Sequence, residues 1–261
     1  MIVKQFKPEQ LINTVTIGES FLTNDDERVA MQFNDDVKHF RNLLEKTNIV
    51  PIIGSSQGKD SSTVTLIVIE AFRQAIAEKT IEPNRPLIMT TVNTKGEAIA
   101  MNFYVHYARK RIIDYCKKHA INLRYDIVSP SLNNEFFVRY AGAQKLPATP
   151  GRNGDCSIIL KLNPNQRFIK SIVNEFDNDE RYREYRHSPL LMCLGSRSYE
   201  SSRRKNNMLK QQLSNKSASD ILNSLEKELI GKRELVNFAP IANWGTDDVF
   251  LLLSLAGDKP I

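Results

Sequence analysis

Between an apolar run, Ile49-Val50-Pro51-Ile52-Ile53, and a stretch free of glycine and proline, Ser61–Lys79, the chain places Gly54-Ser55-Ser56-Gln57-Gly58-Lys59-Asp60. The run reads as a buried strand and the stretch as a helix, with Ser61 and Ser62 as candidate caps. Such a junction is where backbone N–H groups and a helix dipole hold an anion. Gly58 lets the backbone approach a ligand closely. Lys59 supplies a cation for a phosphate, and Ser56, Ser61 and Ser62 supply hydroxyls. Asp60 can hold a metal ion or position a neighbouring side chain. The spacing is not that of a Walker A loop. Pro51 argues against a central place for the strand.

The pattern repeats. Pro86–Thr91 reads as a strand, Glu97–His119 as a long helix and Leu123–Val128 as a third strand. Strands alternating with helices imply an α/β fold, a parallel twisted sheet flanked by helices, with ligands at the carboxyl ends of the strands. Residues 1–45 read as an N-terminal helical segment and 46–261 as the α/β domain. In the first part Asn24-Asp25-Asp26-Glu27 reads as a polar turn, and Val37, Phe40, Leu43 and Leu44 have helical spacing. Leu146–Asp155 is rich in turn formers and reads as a loop. Pro164–Phe176 reads as a helix with Pro164 near its first turn. Asn174–His187 reads as a polar surface segment, Leu190–Leu194 as a buried strand, and Ser198–Ser219 is polar and basic. Leu235–Pro240 reads as a strand or a loop, and Thr246-Asp247-Asp248 as the cap of a short helix, Val249–Leu255.

With 261 residues, 41% of them hydrophobic, the chain can bury a sizeable core. Its apolar runs, such as Leu66–Ile69, fall far short of a membrane span, and Met1-Ile2-Val3-Lys4-Gln5 lacks the apolar region of a signal peptide. The chain therefore reads as cytoplasmic, with no membrane partner. Cys116, Cys156 and Cys193 are too sparse for a disulfide framework. A net charge of +6 leans toward anionic partners. Arg203-Arg204-Lys205 with Lys210 offers cations to a nucleic-acid backbone, and reads equally well as a solvated surface.

Ser56-Gln57-Gly58-Lys59-Asp60-Ser61 resembles the S-G-G-K-D-S loop of the PP-loop superfamily, which includes PAPS reductases, ATP pyrophosphatases and sulfur-inserting enzymes. Gln57 stands at the first glycine, so its side chain must point away from the phosphates. Thr90-Thr91-Val92-Asn93-Thr94, followed by Glu97, resembles the strand-two ending of PAPS reductase-like proteins, with Asn93 where the family has Asp. Phe136, Gly142, Pro147 and Pro150 leading to Arg152, Cys156, Leu160, Lys161 and Pro164 resemble a loop of DndC-type proteins, the sulfurtransferase-like component of DNA phosphorothioation. Asp155 takes the place of that family's Trp. Leu194-Gly195-Ser196-Arg197-Ser198-Tyr199-Glu200-Ser201-Ser202-Arg203 resembles its L-G-x-R-x-x-E-S-x-R stretch, and Pro240–Val249 its P-I-x-x-W-x-x-x-D-V ending. In physical terms Gly195 ends a strand tightly, and Arg197 can aim a planar fork at a phosphate. Glu200 can orient Arg197 or Arg203, and Trp244 reads as packing.

The resemblance implies an adenine nucleotide alpha-hydrolase-like fold that binds ATP with Mg2+. Lys59, Asp60, Cys156 and Arg197 would be catalytic. Ser55, Ser56, Gln57, Gly58, Ser61, Ser62, Thr91, Asn93, Glu200 and Arg203 would bind the nucleotide, and Asp60 would meet Mg2+. In the DndC-type family the loop cysteine is tied to a four-iron, four-sulfur cluster. Such a cluster needs about four cysteines. Cys116 lies in a helix and Cys193 in an apolar strand, and both read as core thiols. Further ligands would then lie outside this chain, which stops at Gly257-Asp258-Lys259-Pro260-Ile261 just after its last helix; otherwise Cys156 acts alone as a persulfide carrier. DNA, a cysteine desulfurase and other phosphorothioation subunits would be the partners. Two alternatives stand beside this reading: a PAPS or APS reductase, whose C-terminal cysteine motif is not found here, and a nucleotide-binding subunit whose chemistry has decayed. His39, His106, His119 and His187 show no metal-ligand spacing.

Overall fold

The computed structural model describes residues 23–146, 155–197, 227–230, 233–257 and 259. They form a sheet of six strands: β1 Val50–Gly54, β2 Leu87–Val92, β3 Leu123–Val128, β4 Leu190–Leu194, β5 Lys227–Ile230 and β6 Arg233–Phe238. The order is β3-β2-β1-β4-β6-β5. Five strands run parallel, and β5 lies antiparallel on the edge beside β6. This is the expected α/β sheet, but β1 sits at its centre, where Pro51 argued against it. The register explains why proline is tolerated. Val50 N–H donates to Pro189 on the β4 side, so the next residue, Pro51, turns its nitrogen toward β2. Pairing with β2 starts only at Ile52, opposite Ile88, so the missing N–H removes no ladder bond.

Helices cover both faces. α1 (Asn24–Lys46), α2 (Lys59–Ala77), α3 (Ile99–Lys118) and α5 (Thr246–Leu255) share one core with Ile53, Met89, Leu191 and Cys193. On the opposite face α4 (Asn163–Asn178) packs Ile169, Ile172, Val173 and Phe176 against Ile52, Ile88, Leu190 and Met192. The strand residues alternate between the two cores, as a pleated strand buried on both sides requires. Burying each aliphatic side chain of this kind contributes about 1.5–3 kcal/mol. The N-terminal helix is built into the first core through Val29, Phe33, Val37 and Phe40.

Two local expectations change. Asn24–Glu27 is the first turn of α1 rather than a free turn. Thr23 Oγ1 accepts the Asp26 N–H at 3.2 Å, and the Asp26 carboxylate takes the Thr23 N–H at 2.7 Å. This capping box uses the same side chains that make turns, and three acids at the positive helix end stabilise it. Within Asn174–His187, α4 runs on to Asn178 and a tight helical turn spans Glu180–Tyr185; Phe176 and Tyr185 are buried. At the other end of α1, the buried guanidinium of Arg85 donates to the carbonyls of Leu44, Thr47 and Ile49 at 2.6, 2.9 and 2.7 Å. It meets carbonyls the helix leaves open and fixes the passage from α1 into β1. No helix among the described residues is long and apolar enough to cross a membrane.

Candidate functional site

The connections β1–α2–β2 and β2–α3–β3 use one face of the sheet, whereas α4 leads from β3 to β4 on the other. The order therefore reverses between β1 and β4, and a crevice opens at their carboxyl ends. The loop after β1 and Gly195-Ser196-Arg197 after β4 meet there.

Gly58, in extended conformation (φ −87°, ψ 166°), is the N-cap of α2. This corrects the expectation for Ser61 and Ser62, which lie inside the first turn; the Ser61 hydroxyl donates back to the Gly58 carbonyl at 2.9 Å. A glycine cap brings no side chain to the first-turn N–H groups, which leaves them to an anion. Gln57 is left-handed at φ 58°, a conformation that explains why glycine suits this position, and is only 5% exposed. Its side chain turns away from the crevice. Nε2 donates to the Tyr125 hydroxyl at 2.6 Å, and that hydroxyl lies 2.7 Å from Thr91 Oγ1. Burial holds the Tyr125 phenol above its ordinary pKa, so it stays neutral. The Gln57 N–H donates to Ser55 Oγ at 3.1 Å, and the Ser55 N–H to the Thr90 carbonyl at 2.9 Å.

Charge gathers at the same helix start. Asp60 meets Arg197 Nε through Oδ1 at 2.8 Å and Lys59 Nζ through Oδ2 at 3.1 Å. Arg197, 3% exposed, also donates from Nη1 to Thr246 Oγ1 at 2.9 Å. The Lys59 ammonium lies 5.9 Å from the Phe250 ring centre. Gly195 is needed for contact: a Cβ there would fall 2.8 Å from Ser61 N and 2.9 Å from the Asp60 carbonyl carbon. Both Asp60 oxygens are thus engaged by cations, and no group of three His, Cys, Asp or Glu side chains able to hold a metal occurs among the described residues. Asp60 does not fit a resident Mg2+ ligand while these ion pairs stand.

Beside the loop is a cleft of 320 Å3. Gly54, Ser55, Ser56, Thr90 and Thr91 form its base, and Val92, Met101, Val105, Leu162 and Leu194 its apolar lining. Asn93, Glu97, Asn102, Lys161 and Asn165 add polar groups. The Asn93 amide donates to Asn102 Oδ1 at 3.2 Å, and Glu97 accepts the Thr94 hydroxyl at 2.6 Å, so the β2 ending is tied to the start of α3. Thr90 Oγ1 and Asn165 Oδ1 are buried with no protein partner, and both residues line the cleft. Such atoms suit a polar ligand in an otherwise apolar pocket.

Cys156 is partly exposed in a helical turn, Asp155–Ser157, that continues through a wide turn, Ile158–Leu162, carrying Lys161 and Leu162 to the cleft. Cys116 and Cys193 are buried; burial pushes the Cys116 thiol up to about 12 and Cys193 up as well. Both lie in the core of the sheet, and no metal-binding group of three side chains occurs among the described residues, so the described cysteines do not fit an iron–sulfur cluster. Glu200 and Arg203 lie outside the described residues, as do Pro147, Pro150, Arg152, the Ser198–Ser219 segment and its basic cluster. Trp244 packs, 1% exposed, and donates from Nε1 to Asp36 Oδ2 at 2.7 Å.

The sequence brought the loop, Thr91, Asn93, Lys59, Asp60 and Arg197 into view. It did not single out Met101, Asn102, Val105, Leu162 and Asn165, because helix residues facing a cleft carry the same periodicity as residues facing a core. Thr246 and Phe250 were equally hidden, since their link to Arg197 and Lys59 spans more than 40 residues of chain.

No protein-family model matches the chain, and no curated protein does. Among solved structures, the chain is similar to a U34-tRNA thiolase, NcsA from Methanococcus maripaludis with its [4Fe-4S] cluster, at 15% identity and a TM-score of 0.45, over 94% of this chain and 72% of that one. It is similar to Candida glabrata FMN adenylyltransferase in complex with FMN and the ATP analogue AMPCPP, at 9% identity and a TM-score of 0.43, over 89% of this chain and 59% of that one. Yeast FAD synthetase in complex with FAD follows at 7% identity and a TM-score of 0.38, over 90% and 61%. The chain thus spans less than two thirds of the length of the adenylyltransferase and of the synthetase.

Proposed function

We propose that the chain is an ATP-binding PP-loop enzyme, an ATP pyrophosphatase of sulfurtransferase-like kind, that activates a DNA backbone oxygen for replacement by sulfur. One observation carries the nucleotide reading. Ser55 and Ser56 belong both to the loop that opens α2 and to the wall of the 320 Å3 cleft. A base and sugar in the cleft would therefore place their phosphates over the N-terminus of α2, beside Lys59. The DNA step rests on the resemblance of the Cys156 and Arg197 stretches to DndC-type proteins.

In the proposed reaction a backbone phosphate oxygen attacks the α-phosphorus of ATP. The α–β anhydride bond breaks and pyrophosphate leaves, its growing charge met by Lys59 and the first-turn N–H groups. The adenylylated oxygen is now a good leaving group. A persulfide, carried by Cys156 or by a partner cysteine desulfurase, displaces AMP with its terminal sulfur. An external thiol then attacks the carrier cysteine's sulfur, forms a disulfide with it and frees the phosphorothioate. Arg197, whose Nε meets Asp60 and whose Nη1 donates to Thr246, would add its charge to the stabilisation of the leaving pyrophosphate. Mg2+ would supply charge neutralisation on the triphosphate it accompanies.

A nucleotide-binding subunit without chemistry would share this site. Gln57 gives that reading no support, because its side chain leaves the phosphate side of the loop open. Pyrophosphate release from ATP with Mg2+ and DNA, measured for the parent and for Lys59→Ala, is the test. The expected result is activity in the parent that falls by about 100-fold in the variant. A parent that binds ATP yet releases no pyrophosphate, with or without DNA, defeats the enzyme reading.

A further inference from the structure

The loop that opens α2 carries a glutamine in a left-handed conformation that glycine adopts without strain. A residue with a side chain adopts it at a cost of about 1–2 kcal/mol, which contacts of that side chain can offset. The holder is visible. Gln57 Nε2 donates to Tyr125 on β3, and Tyr125 reaches Thr91 on β2. All three are buried, at 5%, 3% and 3% exposure. The Tyr125 oxygen already accepts from Gln57, so its own proton is best used on Thr91; turned elsewhere it would be a buried donor without a partner. Thr91 is then an acceptor toward Tyr125 and keeps its proton for the cleft it lines. The Arg109 guanidinium lies 5.7 Å over the Tyr125 ring and donates to the Tyr125 carbonyl at 3.0 Å, which fixes the tyrosine in turn.

We propose that Tyr125 is a positioning residue for the phosphate loop: through Gln57 it latches residues 55–58 to strands β2 and β3 and holds them in ligand-binding shape before a nucleotide arrives. It touches no phosphate itself. The inference rests on the nucleotide reading above and adds to it a device that replaces the glycine of the PP-loop pattern. A loop with glycine is shaped by its own backbone freedom, whereas this loop is shaped from the sheet. The latch and the glycine are therefore alternatives, and Tyr125 matters only while residue 57 has a side chain to hold.

The experiment pairs amide hydrogen exchange of the nucleotide-free chain with ATP affinity, for the parent, Tyr125→Phe, Gln57→Gly and the double variant. In Tyr125→Phe, exchange across residues 55–60 speeds up while α4 and β4 keep their protection. ATP affinity falls about tenfold, the loss expected when a buried hydrogen bond is removed. In the Gln57→Gly background, Tyr125→Phe changes neither readout. Unchanged loop exchange in Tyr125→Phe overturns the proposal, and so does an equal affinity loss in both backgrounds, which would mark an ordinary packing role. If Tyr125→Phe does not fold, Gln57→Met keeps the side-chain length, removes the donor and should give the same faster loop exchange. A parent chain that fails to bind ATP defeats the nucleotide reading, while the exchange measurements still decide the latch.

Discussion

Arg197 Nε stands 2.8 Å from Asp60 Oδ1, and this contact joins the end of β4 to the first turn of α2. The pair spans the reversal point of the sheet beside the loop that opens α2. Arg197 is nearly fully buried and its other arm donates to Thr246, so the pair also reaches the start of α5.

Removing one partner of a buried pair leaves the other charge poorly compensated. Arg197→Ala should therefore destabilise the chain by about 3 kcal/mol in urea unfolding. Arg197→Lys should recover little of the loss, because a single ammonium cannot address Asp60 and Thr246 with a fixed fork. A loss under about 1 kcal/mol for Arg197→Ala would show that water already screens the pair, as at a surface bridge.

Gly195→Ala tests the contact on the other side of the same junction. The added methyl would lie within 3 Å of the α2 backbone at Asp60 and Ser61, and backbone cannot swing aside as a side-chain tip can. The expected cost is about 1–3 kcal/mol of stability, with weaker ATP binding because the helix start must shift. Wild-type affinity in a stably folded variant would mean that the loop does not depend on the fit between β4 and α2.

The loop between β1 and α2 was legible because its signals are local: a strand, a glycine, a lysine and a helix follow one another in the chain. Gln57 shows where local reading ends. Its side chain had to turn away from the phosphates, but only the fold reveals that Tyr125, 68 residues later, receives it. Arg197 is a second case. The planar fork was evident, yet its partners Asp60 and Thr246 come from two distant helices, which local sequence cannot bring together. Pro51 misled for the opposite reason. The rule against proline in central strands concerns ladder bonds, and the stagger between β1 and β2 leaves no bond to lose at that position. At Asn24–Glu27 a helix start was taken for a turn, because capping boxes and turns draw on the same residues.

The three cysteines should differ sharply in reactivity. Cys156 is partly exposed, whereas burial raises the thiol pKa of Cys116 and Cys193 and shields both from reagents. Brief treatment of the native chain with iodoacetamide near pH 8 should label Cys156 alone, and denaturant should open the other two. Labelling of Cys116 or Cys193 at a comparable rate in native protein would contradict the packing of α3 against β4's face of the sheet. Prior ATP binding that slows Cys156 labelling would link the thiol to the cleft wall it leads into.

Asp36 gives a pH dependence whose sign can be worked out. Burial pushes its carboxyl up to about 7, against a hydrogen bond from Trp244 that favours the charged form, and Asp35 adds a smaller push upward. The unfolded chain lets the same group ionise at the usual carboxylate value, near 4. Between those two values the folded state holds a proton that the unfolded state has released. Stability from this group is therefore present at about pH 4 and is lost as pH rises through about 7. Asp36→Asn removes the titration and keeps an oxygen for the Trp244 indole. The stability of the variant relative to the parent should rise between pH 4 and pH 7 by on the order of 4 kcal/mol, then level off. Urea unfolding of both chains across that range gives the difference directly. A difference that stays flat would place Asp36 in contact with water and remove the buried charge from the account of how α1 docks on the Trp244 turn.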